Sequence, residues 1–162
     1  MKFRLILIGL TLSTTLFAQG SDSAFLTARD AFRAGDLNKL ERATSQLGNH
    51  ELAPYAENYR LRMWMDKGDP SGLRDFLQRN EGSYVAEKLR ADWIRLLGKR
   101  SMWNEVDAEF PKMIAPEPDV TCYNQQARLA RNDRAVLAEA IDCRRADAEE
   151  LQLIGRSPRL RR

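Results

Sequence analysis

Residues that close helices recur along this chain at nearly constant spacing, which constrains the fold more than any other feature. Ala34-Gly35-Asp36, Lys67-Gly68-Asp69-Pro70, Gly98-Lys99-Arg100 and Arg131-Asn132-Asp133 interrupt otherwise helical text about every 30–34 residues, the length of a two-helix repeat. Glycine or asparagine can take the left-handed conformation that ends a helix, and a following Asp or Ser can cap the next one. Pro70 suits a first turn, where its missing N–H is not needed. Between these stops the apolar residues follow helical spacing. Phe25, Ala28, Phe32 form one stripe and Leu37, Leu40, Ala43, Leu47 the next. Tyr55, Tyr59, Leu61, Met63, Trp64 follow, then Leu73, Phe76, Leu77. Val85, Leu89, Trp93, Leu96, Leu97 is the strongest stripe; Trp103, Val106, Phe110, Met113, then Tyr123, Ala127, Leu129, and Val136, Leu137, Ala140 complete the series. No run alternates as a half-buried strand would. The expectation is an all-α body of about eight short helices, stacked as helical hairpins in an α-solenoid; an irregular helical bundle is the alternative.

Both ends depart from this pattern. Residues 1–20, MKFRLILIGLTLSTTLFAQG, combine basic Lys2 and Arg4, an apolar run from Leu5 to Phe17 and small residues at Ala18 and Gly20, the features of a cleaved export signal. The run is too short for the roughly 20 residues that cross a bilayer. A periplasmic location, with no membrane contact after cleavage, is therefore expected. Residues 144–162 hold six arginines, so with Lys2 and Arg4 the two ends carry eight of the chain's 26 basic residues. The body, 21–143, keeps 18 basic against 20 acidic residues. The alkaline charge balance belongs to leader and tail, and a nucleic-acid surface, which needs a basic patch on the folded body, is not expected.

No catalytic constellation is present. The chain has no glycine-rich phosphate loop and no Gly-x-Ser-x-Gly elbow. One histidine and two cysteines make a zinc site of the common kinds untenable. His50 stands in a turn, Gly48-Asn49-His50, and reads as a solvated loop residue. Glu57, Asp66, Glu87, Asp92, Glu105 and Glu109 lie in polar stretches and read as surface carboxylates paired with nearby arginines. Tyr55, Tyr59, Trp64, Trp93 and Trp103 would stack on sugar rings if exposed, but their spacing favours core packing. Cys122 and Cys143 form a possible disulfide in an oxidising compartment; sequence leaves the pairing open, because their Cα separation is not fixed by it. No catalytic, cofactor-binding or metal-binding residue is assigned.

The stretch Leu52-Ala53-Pro54-Tyr55-Ala56-Glu57-Asn58-Tyr59-Arg60-Leu61 resembles a Leu-x-Pro-Tyr-x-Glu segment of the soluble lytic murein transglycosylases. Phe76-Leu77-Gln78-Arg79-Asn80, Leu89-Arg90-Ala91-Asp92-Trp93-Ile94-Arg95-Leu96-Leu97-Gly98, Trp103 and Cys122-Tyr123 follow in that family's order, and Ala31-Phe32-Arg33-Ala34-Gly35-Asp36 precedes them. The likeness covers roughly residues 24–132. It implies a periplasmic, superhelical U-shaped domain that normally precedes a lysozyme-like domain. The latter cleaves the β-1,4 bond between N-acetylmuramic acid and N-acetylglucosamine in peptidoglycan, forming a 1,6-anhydro product through one glutamic acid and no cofactor. The family's Glu-Ser, Gly-Leu-Met-Gln and Ala-Tyr-Asn motifs do not occur here, and its second cysteine lies further along than Cys143. The expectation is an N-terminal scaffold fragment, truncated or frameshifted and inactive by itself, with peptidoglycan glycan strands as partner. A free-standing periplasmic helical-repeat adaptor that binds proteins is the alternative.

Overall fold

The computed structural model describes residues 15–139; the side chains of 15–19 and 21 are outside that description, as is the arginine-rich tail. Among the described residues every regular element is helical. The all-α expectation holds, with seven α-helices and two short 3₁₀ turns where about eight short helices were expected. Two of the seven are long, at 20 and 16 residues. The described residues divide into two compact units, with the boundary between Met63 and Trp64.

In the first unit, α1 (Thr15–Ala34) packs on α2 (Leu37–Leu47), and α3 (Ala53–Trp64) follows. The export-signal expectation falls largely on residues 1–14, outside the described residues; α1 starts within its last six. Ala24, Ala28 and Ala31 line one face of α1, and their small side chains let Leu40, Ala43 and Leu47 of α2 pack close; Ala56 of α3 joins the same core. Tyr59 stacks between Phe25 and Phe32 with ring centroids 6.3 and 4.8 Å away, and Arg62 sits over the Phe32 ring at 5.3 Å. These offset ring contacts add to area burial, roughly 0.5–1.5 kcal/mol per pair.

The joint between α1 and α2 follows directly from its three residues. Gly35 has φ +71°. Its N–H donates to the Phe32 carbonyl at 3.1 Å, and that of Asp36 donates to the Ala31 carbonyl at 3.0 Å, the paired bonds of a Schellman closure. Asp36 then accepts the Lys39 N–H at 2.9 Å, capping α2, a contact worth about 1 kcal/mol. One short run therefore ends a helix and starts the next.

In the second unit, α4 (Ser71–Arg79), α6 (Trp103–Glu109) and α7 (Pro118–Ala130) all pack on α5 (Tyr84–Lys99). Ser83 caps α5 by accepting the Ala86 N–H at 3.2 Å. Nine residues of α5 are buried, from Val85 to Gly98, which makes it the central helix of this unit. Leu73, Phe76 and Leu77 of α4, Val106 of α6, and Val120, Cys122 and Ala127 of α7 supply the surrounding core.

The expected turn series needs two corrections. Asn132 behaves as Gly35 does: it has φ +66°, the bonds Asn132 N–H to Leu129 and Asp133 N–H to Arg128 close α7, and Asp133 caps the next turn through the Ala135 N–H. Gly98, however, lies inside α5 and is buried. The left-handed residue that closes α5 is Ser101 at φ +55°, with Ser101 N–H to Gly98 and Met102 N–H to Leu97 repeating the same bond pair. Gly68 is not left-handed and does not close a helix this way. Trp93 is in the middle of α5. Of the last apolar stripe, Val136 and Leu137 lie in a 3₁₀ turn, Arg134–Ala138, with Leu137 about half exposed, and Ala140 lies outside the described residues.

Candidate functional site

Two groups of ion pairs in the second unit gather around α5, a pattern the sequence conceals by spreading the partners along the chain. Arg90 and Glu109 form an ion pair between α5 and the end of α6, with side chains only 5% and 9% exposed. Lys112 donates to the other Glu109 oxygen at 2.9 Å. Glu109 is thus no surface carboxylate, although Lys112, one turn on, is one of its partners. It is buried, its main partner lies 19 residues earlier, and both its oxygens are engaged. Removing two charges from water is costly unless geometry and hydrogen bonding compensate.

This pair floors a cleft of about 250 Å³ whose rim carries Arg74, Gln78 and Glu81 of the α4–α5 segment together with Lys112. Among the described residues, Arg90 Nε is the one buried side-chain nitrogen or oxygen with no hydrogen-bond partner. Buried polar atoms are seldom left so.

On another flank of α5, Arg95 binds Asp92 at 3.0 Å, Asp119 through two bonds, and Glu117, which also takes Lys88. The Arg95 guanidinium holds Asp119 below the usual carboxylate range against the opposing effect of burial. Lys88 and then Arg95 do the same for Glu117. Arg95 itself is raised, chiefly by its bond to Asp119. A carboxylate depressed in the folded state stabilises the fold above its unfolded pKa near 4 and loses that contribution as pH falls through the lower folded value. Thermal stability should therefore fall progressively below about pH 4, and Asp119→Asn should flatten that acid slope. Melting curves from neutral to strongly acidic pH check this, and an unchanged slope in the variant would show that the cluster has no such role.

The remaining expected site residues are dispersed. His50 is not a solvated loop residue: its Nδ1 accepts the Leu52 N–H at 3.2 Å, its Nε2 lies 3.4 Å from Asp22, and its side chain is 19% exposed. It pins the turn before α3. Glu87 accepts the Ile114 N–H at 3.0 Å, tying the loop after α6 to α5. Of the aromatic residues read as core, Trp93 is buried and Tyr59 and Trp103 are half-buried, but Tyr55 and Trp64 are exposed, 39% each. Cys122 is buried and disulfide-bonded; Cys143 lies outside the described residues. No three His, Cys, Asp or Glu residues converge as a metal site among the described residues. Within the same residues no helix is long and apolar enough to cross a membrane.

Sequence reasoning missed the Arg90–Glu109 pair. The signal was Arg90 itself, an obligate cation on the buried side of α5, which demands an anion from elsewhere. No family model, curated protein or solved structure matches the chain.

Proposed function

We propose that this chain is the helical scaffold arm of a periplasmic peptidoglycan lytic transglycosylase, exported through a cleaved signal peptide, and that it holds glycan strands without cutting them. The finer arrangement belongs to the same proposal: hairpins stacked side by side into a curved array.

One observation carries the reading. The residues that resemble the family are those that join and pack helices here. Ala31 to Asp36 builds the Schellman closure and the cap of α2. Tyr55 and Tyr59 of the Leu52–Leu61 stretch contact the rings of α1. Trp93 and Gly98 lie in the core of the second unit, and Tyr123 fills the space that Gly98 leaves. A likeness concentrated in such residues supports a shared frame rather than shared chemistry.

The carboxylates support a non-cutting role. Glycosidic cleavage needs a general acid with a raised pKa. Glu117 and Asp119 are lowered instead, and Glu109 is bound by two cations.

Co-sedimentation of the purified full chain with murein sacculi, followed by analysis of released muropeptides, tests the proposal. The chain should pellet with the sacculi and release no 1,6-anhydro products. Anhydro-muropeptides would overturn the non-cutting role; failure to pellet would overturn glycan binding.

The adaptor reading has one observation in its favour. A groove of about 320 Å³ beside the start of α5 includes Tyr84 and Ile114, 68% and 72% exposed, and exposed apolar side chains of this size gathered together suit a protein partner. Stoichiometric capture of a periplasmic protein, without sacculus binding, would favour it.

A further inference from the structure

We infer that the cleft over the Arg90–Glu109 pair is a binding site for a single carboxylate group, with Arg90 Nε as its buried donor and Arg74 at the rim closing over it. Arginine offers its N–H groups in a fixed planar fork suited to oxyanions. Here Nη1 is spent on Glu109, while Nε is buried without a partner in a side chain that lines the cleft. None of the described residues supplies the acceptor, and the cleft, at about 250 Å³, has room for a carboxylate and the group that bears it.

The charge of the lining selects the ligand. Arg74, Arg90 and Lys112 face Glu81 and Glu109, a surplus of one positive charge. A monoanion matches it. A phosphate dianion would meet the two carboxylates with its second charge uncompensated, and a cation would meet Arg74. Both Glu109 oxygens already accept from Arg90 and Lys112, so Glu109 does not compete for the vacant donor; it holds the guanidinium in place.

The source of the carboxylate rests on the proposed function: the stem peptides of peptidoglycan carry free carboxylates beside the glycan strand. The carboxylate site itself stands on the cleft alone.

The test follows the Nε–H resonance of Arg90 in the nitrogen-15-labelled full chain, assigned by its loss in Arg90→Lys. Sodium acetate should move this resonance saturably, at millimolar concentrations where sodium chloride of equal ionic strength does not. Arg74→Gln, a change at an exposed residue, should weaken the acetate effect by about tenfold while leaving the fold intact, the loss expected for one charge-assisted contact. A purified disaccharide-peptide from murein should saturate the same resonance, and its carboxamide should not. An acetate response no different from that of chloride overturns the site. Tighter binding of inorganic phosphate than of acetate overturns its assignment to a carboxylate. Saturation by acetate but not by the murein fragment upholds the site and overturns murein as its source.

Discussion

Replacing Glu109 with leucine should lower the free energy of unfolding by about 3–5 kcal/mol, the cost of stranding a buried cation. Glu109→Leu removes the acceptor of both Arg90 and Lys112. Lys112 is about half exposed and can turn to water, but Arg90 is 4% exposed and cannot. The double variant Arg90→Met, Glu109→Leu should regain most of the loss, because a buried pair replaced by apolar residues of similar volume costs little. Urea unfolding followed by circular dichroism measures both. A single variant within about 1 kcal/mol of the parent, the range of exposed pairs, would show that water reaches Arg90 and that the pair is not buried in solution. The same experiment bears on the cleft. If Glu109 holds the Arg90 guanidinium in place, the acetate response of the Arg90 Nε–H should weaken in the single variant Glu109→Leu, which keeps the donor but not its anchor.

The contrast between Arg90 and the helices around it shows where sequence reading succeeds and where it stops. Helix faces were legible because their periodicity is local: Leu40, Ala43 and Leu47 are spaced for one face of α2, and all three are buried. Gly35-Asp36 and Asn132-Asp133 were legible for the same reason, since a Schellman closure and its following cap involve residues within five positions of each other. Ser101 was not. Serine in the left-handed region is costly by itself, and the apolar contacts of α5 and α6 on either side hold it there. The ionic partners lie beyond local reach. Arg95 meets Glu117 and Asp119 more than twenty residues away, and Arg90 meets Glu109 across two helices. A sequence marks such residues only as charges in unusual places. Glu109, in a polar stretch, carried no mark at all. The exposed rings mark the opposite failure. Tyr55 and Trp64 have core-like spacing, but Tyr55 only meets the edge of the ring cluster at Phe25 and Trp64 is the last residue of α3, and periodicity in a short helix does not separate such marginal positions from the core.

Gly98 gives the second large effect. A Cβ built there would lie 2.1 Å from the Cδ1 and 2.6 Å from the Cγ of Tyr123, well inside the separation at which carbon atoms attract. Cγ is the ring atom nearest the backbone, so bending the far end of the side chain cannot relieve the clash. Either Tyr123 changes rotamer and leaves its place between α5 and α7, or the helices move apart. Gly98→Ala should thus destabilise the protein by about 3 kcal/mol, at the upper end of overpacking costs, although alanine in a helix interior is otherwise favoured over glycine by roughly 1 kcal/mol. The sign separates two roles for this glycine. A residue kept for its left-handed turn would have to lie at positive φ, and Gly98 does not; a residue kept for close approach is sensitive to the neighbour it faces. Combining Gly98→Ala with Tyr123→Ala tests that dependence. The second substitution makes room for the new methyl group, so the pair should lose less stability than the sum of the two single variants, with a coupling of at least about 1 kcal/mol. Additive losses would mean that the Gly98 backbone, rather than the Tyr123 ring, accounts for the effect, and that α5 and α7 are not held at this distance by the missing side chain.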